Sequence, residues 1–196
     1  MNYRIGLDIS GGDFAPYEII KGAILAKKEL NVDIFLIGDK REIELNIKKF
    51  NEEISKFEII DAPEKIEMAE SPVSAVRKKR KSSIVIGINL LKEKELDAFV
   101  SCGNTGAVVS ASSLILGLVE NVERPGIAIM FPTQKGPSLM IDVGANINPK
   151  PIHFLQYGIM ASVYYSAVLN VSNPTIGLLN IGEEETKGPE YVKEVH

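Results

Sequence analysis

Apolar and polar positions alternate through Tyr3-Arg4-Ile5-Gly6-Leu7-Asp8-Ile9, the period of a strand, and Gly11-Gly12 break that pattern before Pro16 opens a helical one that runs to about Leu30. The unit is a strand, a glycine turn and a helix. Val32 to Ile37 is a short apolar run closed by Gly38-Asp39, after which Ile43, Leu45, Ile47 and Phe50 stand among charges as on a half-exposed helix. Phe57 to Ile60 predicts a third strand. Pro63 and Pro72 bracket an irregular stretch, and Val73 to Lys94 reads as helix in two pieces, with Ser82-Ser83 capping the second. Asp97-Ala98-Phe99-Val100 predicts a strand feeding the turn Ser101-Cys102-Gly103-Asn104-Thr105-Gly106-Ala107. From Thr105 to Gly117 the chain is small and apolar on nearly every side, which predicts a buried helix.

Gly126 to Phe131 and Ser138 to Val143 flank Pro132-Thr133-Gln134-Lys135-Gly136-Pro137, a turn-rich connection that suits an antiparallel hairpin, so the sheet is expected to be mixed. Pro151 to Leu169 carries a helical pattern that ends at Asn170, Thr175 to Asn180 predicts a further strand, and Gly182 begins a polar turn. Pro189 to His196 starts a helix with proline in its first turn and stops within about two turns. A crossover helix delivers its chain to another parallel strand, so residues 1–196 are read as one α/β domain, cut short, whose sheet lacks its last members.

Composition narrows the function. At 196 residues with 45% hydrophobic positions the chain is long enough to bury a substantial core. No apolar run approaches the ~20 residues that cross a bilayer, and Met1 leads directly into a strand, which predicts a cytoplasmic protein. One cysteine excludes an internal disulfide, and with two histidines far apart no metal centre and no cofactor are expected. The net charge of −4 makes nucleic acid an unfavoured partner.

In open α/β sheets, ligands bind beyond the carboxyl ends of strands, where helix N-termini present unpaired N–H groups to anions. Four segments have that layout: Asp8 to Asp13, Ser101 to Ala107, Asp142 to Asn146, and Asn180 to Glu185. In the second, Gly103 and Gly106 allow close approach of backbone to an anion, or simply close packing of helix on strand. Neither a Walker-type phosphate loop nor a dinucleotide fingerprint is present. Asp8 and Asp13 flank Gly11-Gly12 either as carboxylates at the mouth of a site, as acid–base groups or as orienters of a hydroxyl or lysine, or as turn-makers. Glu183-Glu184-Glu185 with Lys187 are a charged cleft wall or a complement to a helix dipole. Arg77-Lys78-Lys79-Arg80-Lys81 form a solvated helix face or a dock for an acidic partner. Cys102 lacks a neighbouring base in sequence and reads as packing rather than as a nucleophile.

Six runs in order resemble the acyl-acyl-carrier-protein:phosphate acyltransferases of bacterial phospholipid synthesis. They are Asp8 with Gly11-Gly12-Asp13 and Ala15-Pro16; Ser71-Pro72 with Arg77-Lys78-Lys79 and Ser82-Ser83; Ser101 with Gly103 to Ala107; Glu123-Arg124-Pro125; Asp142 to Asn146; and Leu179 to Glu185 with Lys187-Gly188. The resemblance implies a three-layer α/β/α fold similar to the isocitrate and isopropylmalate dehydrogenases and to phosphotransacetylase, working as a homodimer without nucleotide or metal. It implies reversible transfer of a fatty acyl group from acyl-carrier protein to inorganic phosphate. Ser101, Gly103, Asn104, Thr105 and Gly106, with Gly11 and Gly12, would hold phosphate. Asp8, Asp13, Asn146, Asn180, Glu183, Glu184 and Lys187 would line the reacting centre. Arg77 to Lys81 would meet the phosphopantetheine phosphate or the acidic carrier protein. Ile9-Ser10 replace the Ala-Met usual in the family and Cys102 replaces Ala. Family members run on past residue 196, through segments that include membrane-touching helices, so peripheral membrane association is an expectation for that further part. Two other readings stay open: a fragment that binds phosphate or carrier protein without catalysis, and a phosphotransacetylase-like enzyme using acyl-coenzyme A.

Overall fold

The N-terminal alternation forms β1 (Tyr3–Asp8), an inner strand of a parallel sheet, in a computed structural model that describes residues 2–182, 184 and 187–196. The sheet has four strands in the order β3 (Glu58–Asp61), β2 (Val32–Gly38), β1, β4 (Ala98–Val100). Its register aligns Tyr3 with Val32 and Ile5 with Ala98. Arg4 holds the β1–β4 end: its N–H and its guanidinium both donate to Asp97, at 2.8, 3.1 and 2.9 Å. These bonds, the side-chain ones first, hold the Asp97 carboxyl down at about 2.

Helices α1 (Tyr17–Glu29) and α2 (Lys40–Lys49) link these strands, and α3 (Pro72–Lys78) and α4 (Ser83–Lys92) carry the chain from β3 to β4. From Ile34 to Ile37 β2 is apolar because it is covered on both faces. Ile34 and Leu36 pack with Ile20, Ala23, Ile24, Ile43 and Ile47 of α1 and α2, whereas Phe35 and Ile37 pack with Leu96, Phe99, Ile86, Leu90 and Leu91 on the α4 side. Fully burying such aliphatic side chains stabilises by about 1.5–3 kcal/mol each, which is what holds the helices on the sheet. Asp39 caps α2 by accepting from the N–H groups of Arg41 and Glu42, and Ser82 caps α4. The predicted break between two helices therefore falls at Ser82.

The helix α5 (Thr105–Ala111) continues into a wider π turn, Ser112–Leu116, that stops at Gly117 with φ of 86°. Here the expectation of a fully buried helix is corrected. Only Ala107 and Ala111 are fully buried; Val108 and Ile115 are partly buried against the same cluster as α4, and Leu114 and Leu116 are exposed.

Residues 1–117 make one compact unit and residues 118–196 a second. The second contains an antiparallel hairpin, β5 (Ala128–Thr133) with β6 (Gly136–Ile141), the helix α6 (Pro151–Leu169) and the short α7 (Glu190–Val195). Asn170 ends α6 in the left-handed conformation, as its place in the sequence predicts. Two expectations fail. The sheet is not mixed: the described strands make an all-parallel sheet and a separate two-stranded hairpin. Thr175 to Asn180 forms no strand, since a strand needs a ladder partner and none of the described residues supplies one; Ile176 and Leu179 lie exposed. No described helix is long and apolar enough to cross a membrane.

Candidate active site

The chain leaves β1 toward β2, while β4 pairs with the opposite flank of β1, so the carboxyl ends of β1 and β4 border a topological switch point. Asp8 closes β1 there and is 1% exposed. Ser101 Oγ donates to Asp8 Oδ2 at 2.7 Å, the Ser10 N–H donates to Oδ1 at 3.0 Å, and the Gly103 N–H donates to Ser101 Oγ at 3.0 Å. Asp8 is buried, and of the roles open to it from sequence its hydrogen bonds match that of an orienter of a hydroxyl. It orients the Ser101 hydroxyl and ties the ends of two strands together. A Cβ on Gly11 would lie 2.5 Å from the Gly103 nitrogen and 2.6 Å from Asp8 Oδ2, so the two turns meet this closely only because residue 11 is glycine.

Beside this junction lies a cleft of about 180 Å³ lined by Ser10, Gly11, Gly12, Asp13 and Gly103 on one side and by residues 65–68 on the other. Among the described residues the N–H groups of Gly11 and Gly12 meet no acceptor, and Gly12 has a φ of +102°. Unsatisfied N–H groups in a turn favour an anion. Asp13 is exposed on the same rim. Lys65 is the cation of the lining, paired with Glu67 at 3.4 Å. Residues 65–68 lie in the irregular stretch between Pro63 and Pro72, where the sequence shows no period that would mark a wall.

Asn104 has its carboxamide fully engaged. The side-chain oxygen caps α5 by accepting from the Ala107 N–H at 3.0 Å, and the amide nitrogen donates to the carbonyls of Glu67, Met68 and Glu70 at 3.3, 3.1 and 3.1 Å. The residue is buried, and it pins the cleft wall rather than presenting a donor to the cleft. Thr105 is exposed at the start of α5, and Gly106 packs on Pro72, whose Cγ would be 2.6 Å from an added Cβ.

The five cations do not share one helix face, because α3 ends at Lys78 and a turn follows. Arg77, Lys78, Arg80 and Lys81 are exposed, with Arg80 Nε donating to the Arg77 carbonyl. Lys79 instead folds back onto Glu70 and the Lys65 carbonyl.

In the second unit, Asp142 organises the turn that follows β6. It accepts from the N–H groups of Ile127, Ala145 and Asn146 at 2.9, 3.0 and 2.8 Å. The Asn146 amide donates to Asp142 and to the Pro125 carbonyl, and it lies 2.8 Å from the Tyr157 hydroxyl. Partial burial opposes the charge on Asp142, yet the N–H donors prevail and its carboxyl titrates below the ordinary 3.8. Burial, then the Asp142 charge, pushes the Tyr157 phenol up. A lowered acid stabilises the fold above its unfolded pKa and stops doing so as pH falls through the folded value. The turn at 142–146 is therefore expected to hold at pH 5 and above and to loosen below about pH 3.8, and Asp142→Asn to flatten that acid limb, as followed by hydrogen exchange at Ile127 and Ala145.

His153 is a buried residue that sequence reading set aside. Its Nδ1 accepts from the Lys150 N–H at 3.0 Å, so the ring proton sits on Nε2, 3.1 Å from Glu123 Oε2. Asn180 closes its own loop, donating to the Lys187 carbonyl at 3.2 Å, while Glu184 and the Lys187 side chain are exposed. Glu183 lies outside the described residues. Among the described residues no three His, Cys, Asp or Glu converge as metal ligands.

Two solved phosphotransacetylases share the fold: one from Streptococcus pyogenes, with a TM-score of 0.73 at 15% identity over 99% of this chain and 64% of that one, and one from Staphylococcus aureus, with 0.61 at 19% over 85% and 53%. Sequence relatives are closer. Proteins named phosphate acyltransferase from Aquifex aeolicus, Dictyoglomus turgidum and Caldicellulosiruptor bescii are 45%, 46% and 47% identical over 97–98% of this chain, which spans 57–58% of their length. A family model described as fatty acid synthesis protein matches residues 3–196. On that match, which takes in nearly the whole chain, the chain belongs to the fatty acid synthesis protein family.

Proposed function

We propose that this chain is the phosphate-handling part of an enzyme that transfers a fatty acyl group from acyl-carrier protein to inorganic phosphate, yielding acyl phosphate for phospholipid synthesis. The observation that carries this reading is the cleft that Gly11 and Gly12, whose N–H groups meet no acceptor among the described residues, line together with Lys65, in a chain 45–47% identical to phosphate acyltransferases. A phosphate oxygen attacks the thioester carbonyl carbon and the π pair moves onto the carbonyl oxygen. Collapse of the adduct breaks the C–S bond, and the thiolate leaves with the electron pair and takes a proton from solvent. The protein's part is to hold phosphate in line and to offset developing charge.

In this proposal the N–H groups of Gly11 and Gly12 and the ammonium of Lys65 contact phosphate, Gly103 lets the turns close around it, and Asp8 holds Ser101. Asn146, Asn180, Glu184 and Lys187 remain catalytic candidates on family membership, and Arg77, Lys78, Arg80 and Lys81 remain the candidate contact for the acidic carrier protein. The dehydrogenase-like three-layer architecture, homodimerisation and peripheral membrane association belong to the same proposal.

The test is acyl phosphate trapped by hydroxylamine after incubation with long-chain acyl-acyl-carrier protein and phosphate. The assay is run on residues 1–196 and on the chain carried to the length of its relatives. Product from neither sinks the proposal, and product only from short-chain acyl-coenzyme A favours the phosphotransacetylase-like alternative. The chemistry asks for no enzyme nucleophile, so Cys102→Ala is expected to keep the rate within about twofold.

A further inference from the structure

The wall of the cleft at residues 65–68 has little core of its own, since Ile66 alone among these is buried. It is held by polar struts from two sides. Asn104 grips the carbonyls of Glu67, Met68 and Glu70 from the α5 side. From the α3 side the Lys79 ammonium donates to the Lys65 carbonyl at 2.6 Å and joins the Glu70 carboxylate, whose Oε1 also accepts from the Glu67 N–H at 2.9 Å. Lys79 thereby reaches Lys65 directly and Glu67 through Glu70. The Lys79 and Glu70 side chains are each 31% exposed, so solvent still screens the pair in part, and its hold on the wall rests on the hydrogen bonds it makes there. The Lys79 bond, then the Glu67 N–H, keeps the Glu70 carboxyl below its ordinary range. A docking cation would extend its ammonium outward as its exposed neighbours do.

We propose that Lys79 is a positioning residue that fixes the cleft wall and with it the placement of Lys65, rather than one of the cations offered to a partner. The kinetic half of this inference rests on the phosphate reaction proposed above; the conformational half does not.

The intact protein is compared with Lys79→Met, Lys79→Arg and, as a charge-matched control in the last turn of α4, Lys92→Met. Two readouts are taken: amide hydrogen exchange over residues 65–70, and KM and kcat for inorganic phosphate. For Lys79→Met we expect exchange about tenfold faster and a KM raised about tenfold, the size of a lost charged hydrogen bond, with kcat within about twofold. Lys79→Arg, which keeps donors for both acceptors, restores both readouts, and Lys92→Met moves neither. Unchanged exchange in Lys79→Met overturns the proposal. So does an equal rise of KM in Lys92→Met, or a fall in kcat at constant KM. Should wild-type protein make no acyl phosphate, the function reading fails and the exchange comparison alone decides the role of Lys79.

Discussion

Replacing Asn104 by Ala is expected to lower the free energy of unfolding by about 2–4 kcal/mol, the sum of a lost helix cap and of carbonyls left without a donor. Its carboxamide serves four backbone groups, one on α5 and three on the loop before α3, so both elements lose an anchor together. The neighbouring Thr105→Ala, at an exposed position, is expected to stay within about 0.5 kcal/mol. Denaturant titration of the two variants measures the contrast. Equal, small effects would mean that the loop is held elsewhere. Phosphate dependence should weaken in Asn104→Ala only in step with loss of order at residues 67–70.

Gly11→Ala is the second large effect. The added methyl would stand 2.5 Å from the Gly103 nitrogen, 2.8 Å from its Cα and 2.6 Å from the Asp8 carboxylate, and none of these is the free end of a flexible side chain. The two turns must part. Overpacking of this kind costs about 1–3 kcal/mol, and a shift of about 1 Å at a reacting centre costs on the order of 100-fold in rate. The expected result is a folded protein with kcat/KM for phosphate reduced about 100-fold. Gly22→Ala on α1, where nothing lies within 4 Å, is the matched control, expected to be neutral or stabilising by up to about 1 kcal/mol. Thermal melts and steady-state kinetics on both variants decide whether the clash, and not the loss of a glycine as such, does the damage.

The strands of the main sheet, its helices and the Ser82 break were legible because each rests on local signals: alternation, a helical stripe, a cap residue. So was the Gly103 turn, whose glycines mark close approach. The wall at residues 65–68 was not legible, because it is built by contacts between residues far apart in sequence, such as Asn104 with Glu67 and Lys79 with Lys65. For the same reason Ser101, Asn104 and Lys79 read as ligand contacts. Polar side chains at a strand end look alike in sequence whether their hydrogen bonds are spent internally, as these are, or left over. Thr175 to Asn180 misled in the opposite way, since its apolar residues predict a strand but cannot supply the neighbour that a strand pairs with.

Cys102 sits exposed on the turn between β4 and α5, with its Cβ 3.2 Å from where a Cβ on Gly12 would lie. It is the only cysteine of these 196 residues. The protein thus carries a ready attachment point at the edge of its own cleft. A maleimide fluorophore placed there without any substitution becomes an optical reporter, and if the cleft holds phosphate as proposed, its emission changes on titration with phosphate before any acyl donor is added.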